Sequence, residues 1–166
     1  MRQKLSVFFR LIPLLVCMAM TCSAQAGNEG PRPFVSGSLA KIVAERQGKP
    51  FILALWSITC THCPDELKTL GRLKAKNPKL DIVLVAADSP EDASHAAEMA
   101  RSHGLAKVPQ WVFADEMPER LRYEIDRNWH GELPRTYFYD RRHSVVAVSG
   151  LVPSQRLEQW ARENAR

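Results

Sequence analysis

An apolar run that leads directly into a pair of cysteines constrains the fold of this chain more than any other feature. Residues 51–56 are all apolar, which is typical of a strand buried on both faces of a parallel sheet. Cys60 and Cys63 follow at once, and the leucines after them recur at helical spacing. The pattern predicts a strand and then two thiols at the start of a helix, where the helix dipole favours the reactive thiolate.

The first 26 residues have the pattern of a secretory signal peptide. Residues 1–10 carry three cations and no acid, residues 11–20 are almost wholly apolar, and the segment ends in small residues before Ala26. We therefore expect cleavage near Ala26 and a periplasmic or otherwise exported protein. A membrane anchor is an alternative, although the apolar run has about a dozen residues and a spanning helix needs about 20. Lipid attachment at Cys17 or Cys22 also remains open.

The charge of the chain gives no support for a nucleic-acid partner. The net charge is +5, and residues 1–26 supply +3 of it, which leaves +2 for the exported part. The basic character of the sequence is therefore mostly a property of the predicted signal.

Cysteine usage points to chemistry at Cys60 and Cys63. The chain has four cysteines, and these two are the only ones after residue 26. A disulfide across two intervening residues closes too small a loop to stabilise a fold appreciably, so a catalytic or metal-binding role is the better explanation. Zinc is disfavoured because the five histidines are scattered without zinc-like spacing. Copper(I) bound by the two thiolates remains an alternative.

The rest of the chain predicts a single α/β domain. Residues 27–38, rich in glycine and proline, are expected to form a flexible leader, and residues 39–166 form the domain. Hydrophobic patterns predict further strands over 80–87, 108–114, 133–140 and 145–148. They predict helices over 39–47, from the cysteine pair to 76, over 93–103 and 117–129, and from 153 onward. The strand at 108–114 should be short or near an edge, because it contains Pro109.

This order of elements resembles the thioredoxin fold and, more narrowly, the exported TlpA/ResA/DsbE-type thiol–disulfide oxidoreductases. The resemblance covers residues 39–164 and rests on four motifs. They are Leu55-Trp56-Ser57, Cys60-x-x-Cys63-x-x-Glu66, Pro134-Arg135-Thr136-Tyr137-Phe138-Tyr139-Asp140 and Gly150. It implies a central mixed sheet flanked by helices, with an extra βα insertion before a cis-proline-led C-terminal hairpin and a final helix.

The two cysteines and a glutamate are the candidate catalytic residues. Cys60, at the exposed start of the helix, would attack a substrate disulfide, and Cys63 would resolve the mixed disulfide. By resemblance, Glu66 lies near the buried cysteine and exchanges protons, since burial raises the pKa of a carboxyl group. The alternative for Glu66 is a solvated surface residue.

Other residues are expected to support the site or contact the substrate. By resemblance, Pro134 is preceded by a cis peptide bond and packs against the cysteines, and Leu133 presents its backbone to an extended substrate. Trp56 is expected to pack beneath the site. Between the cysteines lie Thr61 and His62, and a protonated His62 would stabilise the Cys60 thiolate, unless it is an exposed histidine with no partner.

Trp129, His130 and Glu132 either line the substrate groove or belong to a loop.

The function implied by the resemblance is exchange of disulfides with protein substrates, in the reductive direction, with electrons from a membrane partner. The only redox group is the Cys60–Cys63 disulfide, and no other cofactor or metal is expected. Two departures leave the direction open, because Thr59 stands where the family has tryptophan and His62 is similar to the histidine of strongly oxidising proteins. An oxidant or isomerase of protein disulfides is therefore a further alternative.

Overall fold

A six-stranded mixed sheet forms the centre of the molecule. The computed structural model describes residues 30–164, and the predicted signal peptide lies outside them. The strands are β1 (Arg32–Phe34), β2 (Phe51–Trp56), β3 (Ile82–Ala86), β4 (Gln110–Phe113), β5 (Arg135–Tyr139) and β6 (Val145–Ser149). The helices are α1 (Ser38–Ala44), α2 (Cys63–Lys76), α3 (Ala93–Ser102), α4 (Pro118–Ile125) and α5 (Ser154–Asn164). None of these helices is long and apolar enough to span a bilayer.

The sheet order is β1-β4-β3-β2-β5-β6. Strands β1 to β4 are parallel to one another, β5 is antiparallel to β2, and β6 is antiparallel to β5. This arrangement confirms the predicted thioredoxin-like fold with a mixed sheet flanked by helices. Because β2 and β3 are parallel and β5 runs against them, residues 57–62, 87–89 and 132–134 meet at one edge of the sheet. We call these three segments the redox edge.

Helices cover the central sheet on both sides, so the core has two parts. Even-numbered residues of β2, such as Ile52 and Trp56, face α2, α3 and α5, and odd-numbered residues, such as Leu53, face α1 and α4. Every side chain of β2 and β3 is buried. The continuous apolar runs of the sequence therefore reflect strands with a core on each face.

The stretch predicted as a flexible leader contains a strand. Residues 32–34 pair in parallel with β4, and Phe34 is buried against Trp111 and Phe113. The structure thus has a strand where the sequence predicts a flexible leader. The strand could not be predicted, because three residues are too few to show a period-2 pattern. Strand β4 is short, as predicted. It does not lie at the edge of the sheet, because β1 pairs with it on its outer side.

Helix α4 is shorter than its sequence pattern predicts. It ends at Ile125, whereas the apolar pattern continues to Trp129. Asp126 adopts an extended backbone, and its carboxylate accepts a hydrogen bond from Arg135 at 2.5 Å. Trp129 is nevertheless buried, with its indole nitrogen donating to the carbonyl of Glu132 at 2.8 Å. The apolar spacing therefore reports burial of Trp129 but not helix.

Candidate active site

The two cysteines form a disulfide at the redox edge, and their environments differ. Their Cα atoms lie 5.4 Å apart. The sequence predicts both thiols at the start of a helix. Helix α2 begins only at Cys63, so this prediction is wrong for Cys60, which lies in the turn before the helix. Cys63 is fully buried, while Cys60 is half-buried. Cys60 is therefore the sulfur that a second protein can reach first.

The turn that leads to Cys60 is held by Asp88, a residue that the sequence reasoning missed. The hydroxyl of Ser57 donates to Asp88 Oδ1 at 2.6 Å, and the backbone N–H of Ile58 donates to both carboxylate oxygens, at 3.1 and 3.3 Å. Ser57 Oγ also accepts from the N–H of Thr59 at 3.1 Å. A signal was available, since Asp88 follows a buried strand parallel to β2 and the carboxyl ends of such strands share an edge.

Glu66 is buried on the same helix, one turn beyond Cys63. It is 2% exposed, which excludes the alternative of a solvated surface residue. Its Oε1 accepts from the hydroxyl of Thr136 and its Oε2 from the N–H of Val152, both at 3.1 Å. Burial raises the pKa of this carboxyl above its ordinary value of 4.5, although both hydrogen bonds act in the opposite direction. The site thus contains a carboxyl group that holds its proton more readily than a free glutamate.

The Leu133–Pro134 peptide bond is cis, as the family resemblance implies. The carbonyl of Pro134 accepts from the N–H of Gly150 at 2.8 Å, which continues the pairing between β5 and β6 toward the redox edge. Leu133 is half-buried and packs against both parts of the core. Within residues 30–164, the backbone N–H and C=O of Leu133 make no hydrogen bond.

The other predicted supporting residues differ in their surroundings. Trp56 is 2% exposed and belongs to the same core cluster as Cys63, as expected of a residue beneath the site. Its indole N–H has no hydrogen-bond partner among residues 30–164. Thr61 and His62 are exposed, and His62 occupies the N-cap position of α2 without a capping hydrogen bond from its side chain.

The loop that precedes Pro134 is fixed by an arginine that the sequence did not single out. Arg135 is buried and donates to Asp126, to Glu132 at 3.0 Å and to the hydroxyl of Tyr137 at 2.7 Å. These bonds connect the end of α4 to β5 across the loop. Glu132 and Trp129 therefore make hydrogen bonds inside this loop, which favours the interpretation of both as loop residues. His130 is exposed.

No group of three or more His, Cys, Asp or Glu side chains in residues 30–164 is arranged to hold a metal ion. A copper(I) site made by the Cys60 and Cys63 thiolates would have only two ligands, so the copper alternative stays a prediction to be tested.

The fold is shared with solved thiol–disulfide oxidoreductases. A secreted Mycobacterium tuberculosis disulfide oxidoreductase homologous to E. coli DsbE is 21% identical, with a TM-score of 0.58 over 72% of this chain and 85% of that chain. A DsbF homologue from Corynebacterium diphtheriae is 18% identical, with a TM-score of 0.59 over 73% and 75% of the two chains. A thiol:disulfide interchange protein of the thioredoxin family from Chlorobium tepidum is 16% identical, with a TM-score of 0.57 over 74% and 84%.

No protein-family model matches the sequence, and no curated protein matches it. At these identities the structural similarity establishes the thioredoxin-like fold.

Proposed function

We propose that this protein is an exported thiol–disulfide oxidoreductase that exchanges disulfides with protein substrates. The observation that carries the proposal is the pairing of a half-buried cysteine, Cys60, with a fully buried one, Cys63, in a disulfide on the redox edge. An asymmetric pair of this kind separates the attacking thiol from the resolving thiol. The cis bond before Pro134 and the buried carboxyl of Glu66 belong to the same part of the molecule.

In the reductive direction, the Cys60 thiolate attacks one sulfur of a substrate disulfide. A mixed disulfide forms, and the other substrate sulfur leaves as a thiolate and takes up a proton. The Cys63 thiolate then attacks the Cys60 sulfur, which releases the second substrate thiol and re-forms the Cys60–Cys63 disulfide. Two electrons pass to the substrate in this cycle.

The resolving step requires the buried Cys63 to lose a proton. Glu66 lies three positions further along α2, and residues at this spacing share a helix face. Its carboxylate would accept the thiol proton and release it when the site is open to solvent. A carboxyl with a raised pKa suits this role, because its proton affinity is closer to that of a thiol.

The backbone of Leu133 offers a place for an extended substrate segment. Its N–H and C=O, which make no hydrogen bond within residues 30–164, would pair with the segment on either side of the substrate cysteine, which is recognition by strand addition. Strand addition recognises the substrate through its main-chain N–H and C=O groups, so it is compatible with substrates of different sequence.

We further propose that the direction is reductive and that a membrane partner supplies the electrons. The family resemblance of the sequence motifs implies reduction, whereas His62 between the cysteines would favour an oxidant or isomerase. The reduction potential of the Cys60–Cys63 pair distinguishes the two directions. A value near −270 mV, as in thioredoxin, supports a reductase, and one near −120 mV, as in DsbA, supports an oxidant.

The exchange mechanism is tested with two single variants. Cys60→Ser should abolish reduction of a model protein disulfide, while Cys63→Ser should form a mixed disulfide that accumulates and is visible as a shifted band without reductant. Cys60→Ser with wild-type turnover would overturn the mechanism. Retention of one equivalent of Cu(I) by the reduced wild type, with negligible disulfide turnover, would instead favour the copper-binding function.

A further inference from the structure

The edge of the sheet opposite the disulfide carries a cationic cavity of about 430 Å³. It lies at the start of β2 and β3, whereas the cysteines follow the end of β2. Four cations line the cavity, together with one acid, one amide and two apolar residues. The lining residues are Lys49, Pro50, Lys74, Lys79, Leu80, Asp81, Arg141 and Asn164.

The single acid of this cavity is already engaged. Asp81 Oδ2 accepts from Nε of the buried Arg46 at 2.9 Å. In residues 30–164, no carboxylate lies within ion-pair distance of Lys49, Lys74, Lys79 or Arg141. The cavity therefore concentrates positive charge that the described part of the protein does not neutralise, and such a concave surface attracts anions.

One of the four cations is held in place. Lys74 Nζ donates to the carbonyl of Pro78 at 2.9 Å and to that of Leu80 at 2.6 Å. An ammonium group has three protons, so one donor remains for a ligand. These carbonyl bonds fix the lysine within the wall of the cavity, which reduces the entropy lost when it binds an anion.

We propose that this cavity binds a phosphate group carried on a small ester. Phosphate carries up to two negative charges and several acceptor oxygens, which matches three ammonium groups and one guanidinium. The volume is in the range of small-molecule sites, so an ester substituent is accommodated beside the apolar surfaces of Pro50 and Leu80. The same chemistry is presented by a free phosphoester and by the headgroup of an anionic phospholipid. The site is separate from the redox edge and does not depend on the proposed function.

The first arm of the test measures binding of soluble phosphate to the full chain. Inorganic phosphate and glycerol 3-phosphate are titrated into the ¹⁵N-labelled protein against chloride at matched ionic strength. We expect saturable shifts confined to the backbone amides of residues near the cavity, namely Lys49, Lys79, Leu80, Asp81 and Arg141. Lys79→Gln combined with Arg141→Gln should weaken this binding about tenfold or more, because two charge-assisted contacts are lost. Lys68→Gln combined with Arg72→Gln removes two cations elsewhere on α2 and should leave it unchanged.

The second arm distinguishes the two sources of phosphate. Co-sedimentation is compared on phosphatidylcholine vesicles and on vesicles that also contain phosphatidylglycerol. Extra binding to the anionic vesicles that only the Lys79/Arg141 variant loses supports a lipid headgroup. Saturable shifts with soluble phosphate but no such vesicle effect support a free phosphoester.

Absence of saturable shifts together with no vesicle effect would overturn the proposal, as would equal losses in the two double variants. Far-UV circular dichroism spectra and urea denaturation midpoints equal to those of wild type show that each double variant is folded.

Discussion

The disulfide joins two halves of the site that are held by different forces. The outer half, residues 57–62, is a partly exposed turn fixed by polar bonds to Asp88. The inner half consists of Cys63 and Glu66 with Thr136 and Val152, all buried in the core next to α2. The difference suggests that packing sets the position of the resolving sulfur, while hydrogen bonds set the position of the attacking one.

The largest expected effect comes from disturbing the packing behind the inner half. A Cβ atom added at Gly71, in the middle of α2, would lie 1.9 Å from the carbonyl oxygen of His103. Gly71→Ala should therefore lower the free energy of unfolding by about 3 kcal/mol, measured by urea denaturation. Gly30→Ala is the control, because a Cβ there meets nothing within 4 Å. If Gly71→Ala were as stable as the control, packing would not be what holds α2.

Removing the polar support of the outer half should have the next largest effect. Asp88→Ala leaves the Ser57 hydroxyl and the Ile58 N–H without their acceptor, which costs about 2 kcal/mol of unfolding free energy. Turnover of a protein disulfide should fall as well, because the turn that presents Cys60 loosens. Asp92→Ala serves as the control, because within residues 30–164 the carboxylate of this half-buried acid accepts a hydrogen bond from Ser89 alone. Wild-type stability and turnover in Asp88→Ala would contradict the role of Asp88.

Glu66→Gln tests whether the inner half also takes part in proton transfer. The amide keeps the size of the side chain but cannot accept a thiol proton, so resolution of the mixed disulfide should slow about tenfold or more, as measured by stopped flow. Asp65→Asn, an exposed residue in the same helical turn, should leave the rate unchanged. Equal rates in wild type and Glu66→Gln would limit Glu66 to a structural role.

The same variant has a pH signature in stability. Burial raises the pKa of Glu66 in the folded state above the unfolded value of about 4.5. Its contribution to stability is therefore fully present below pH 4.5 and is lost as the pH rises through the folded-state pKa. The unfolding free energy of Glu66→Gln minus that of wild type should consequently increase across this range. Urea denaturation at several pH values measures the difference, and a flat profile would contradict the raised pKa.

The smallest expected effect concerns His62 in the outer half. If its charge stabilises the Cys60 thiolate, His62→Gln should lower the reduction potential by roughly 10 mV, equivalent to about 0.5 kcal/mol. The change is small because the side chain is exposed and screened by water. Thr61→Ser is a control that keeps the charge, and identical potentials for wild type and His62→Gln would assign no redox role to His62.

The sequence by itself determined the local features of this protein. The apolar runs located β2 and β3, because a strand buried on both faces must be apolar at every position. The spacing of the leucines located α2, and the cysteines themselves located the disulfide. The proline-led hairpin was recognised through the family resemblance, and the cis bond before Pro134 agrees with it. Each of these features is encoded within a short window.

Tertiary structure decided which distant groups meet at the site. Thr136 and Val152, the partners of Glu66, lie 70 and 86 positions away, and Asp88 lies 31 positions from Ser57. Periodicity carries no information about contacts at such separations, because they arise only when β2, β3 and β5 align in one sheet. Strand β1 was missed for the same reason. It is a strand because it pairs with β4, and its three residues show no pattern of their own. The sequence thus determined where the two thiols lie, and the sheet decided that one is buried beside a carboxyl group and the other is presented to solvent.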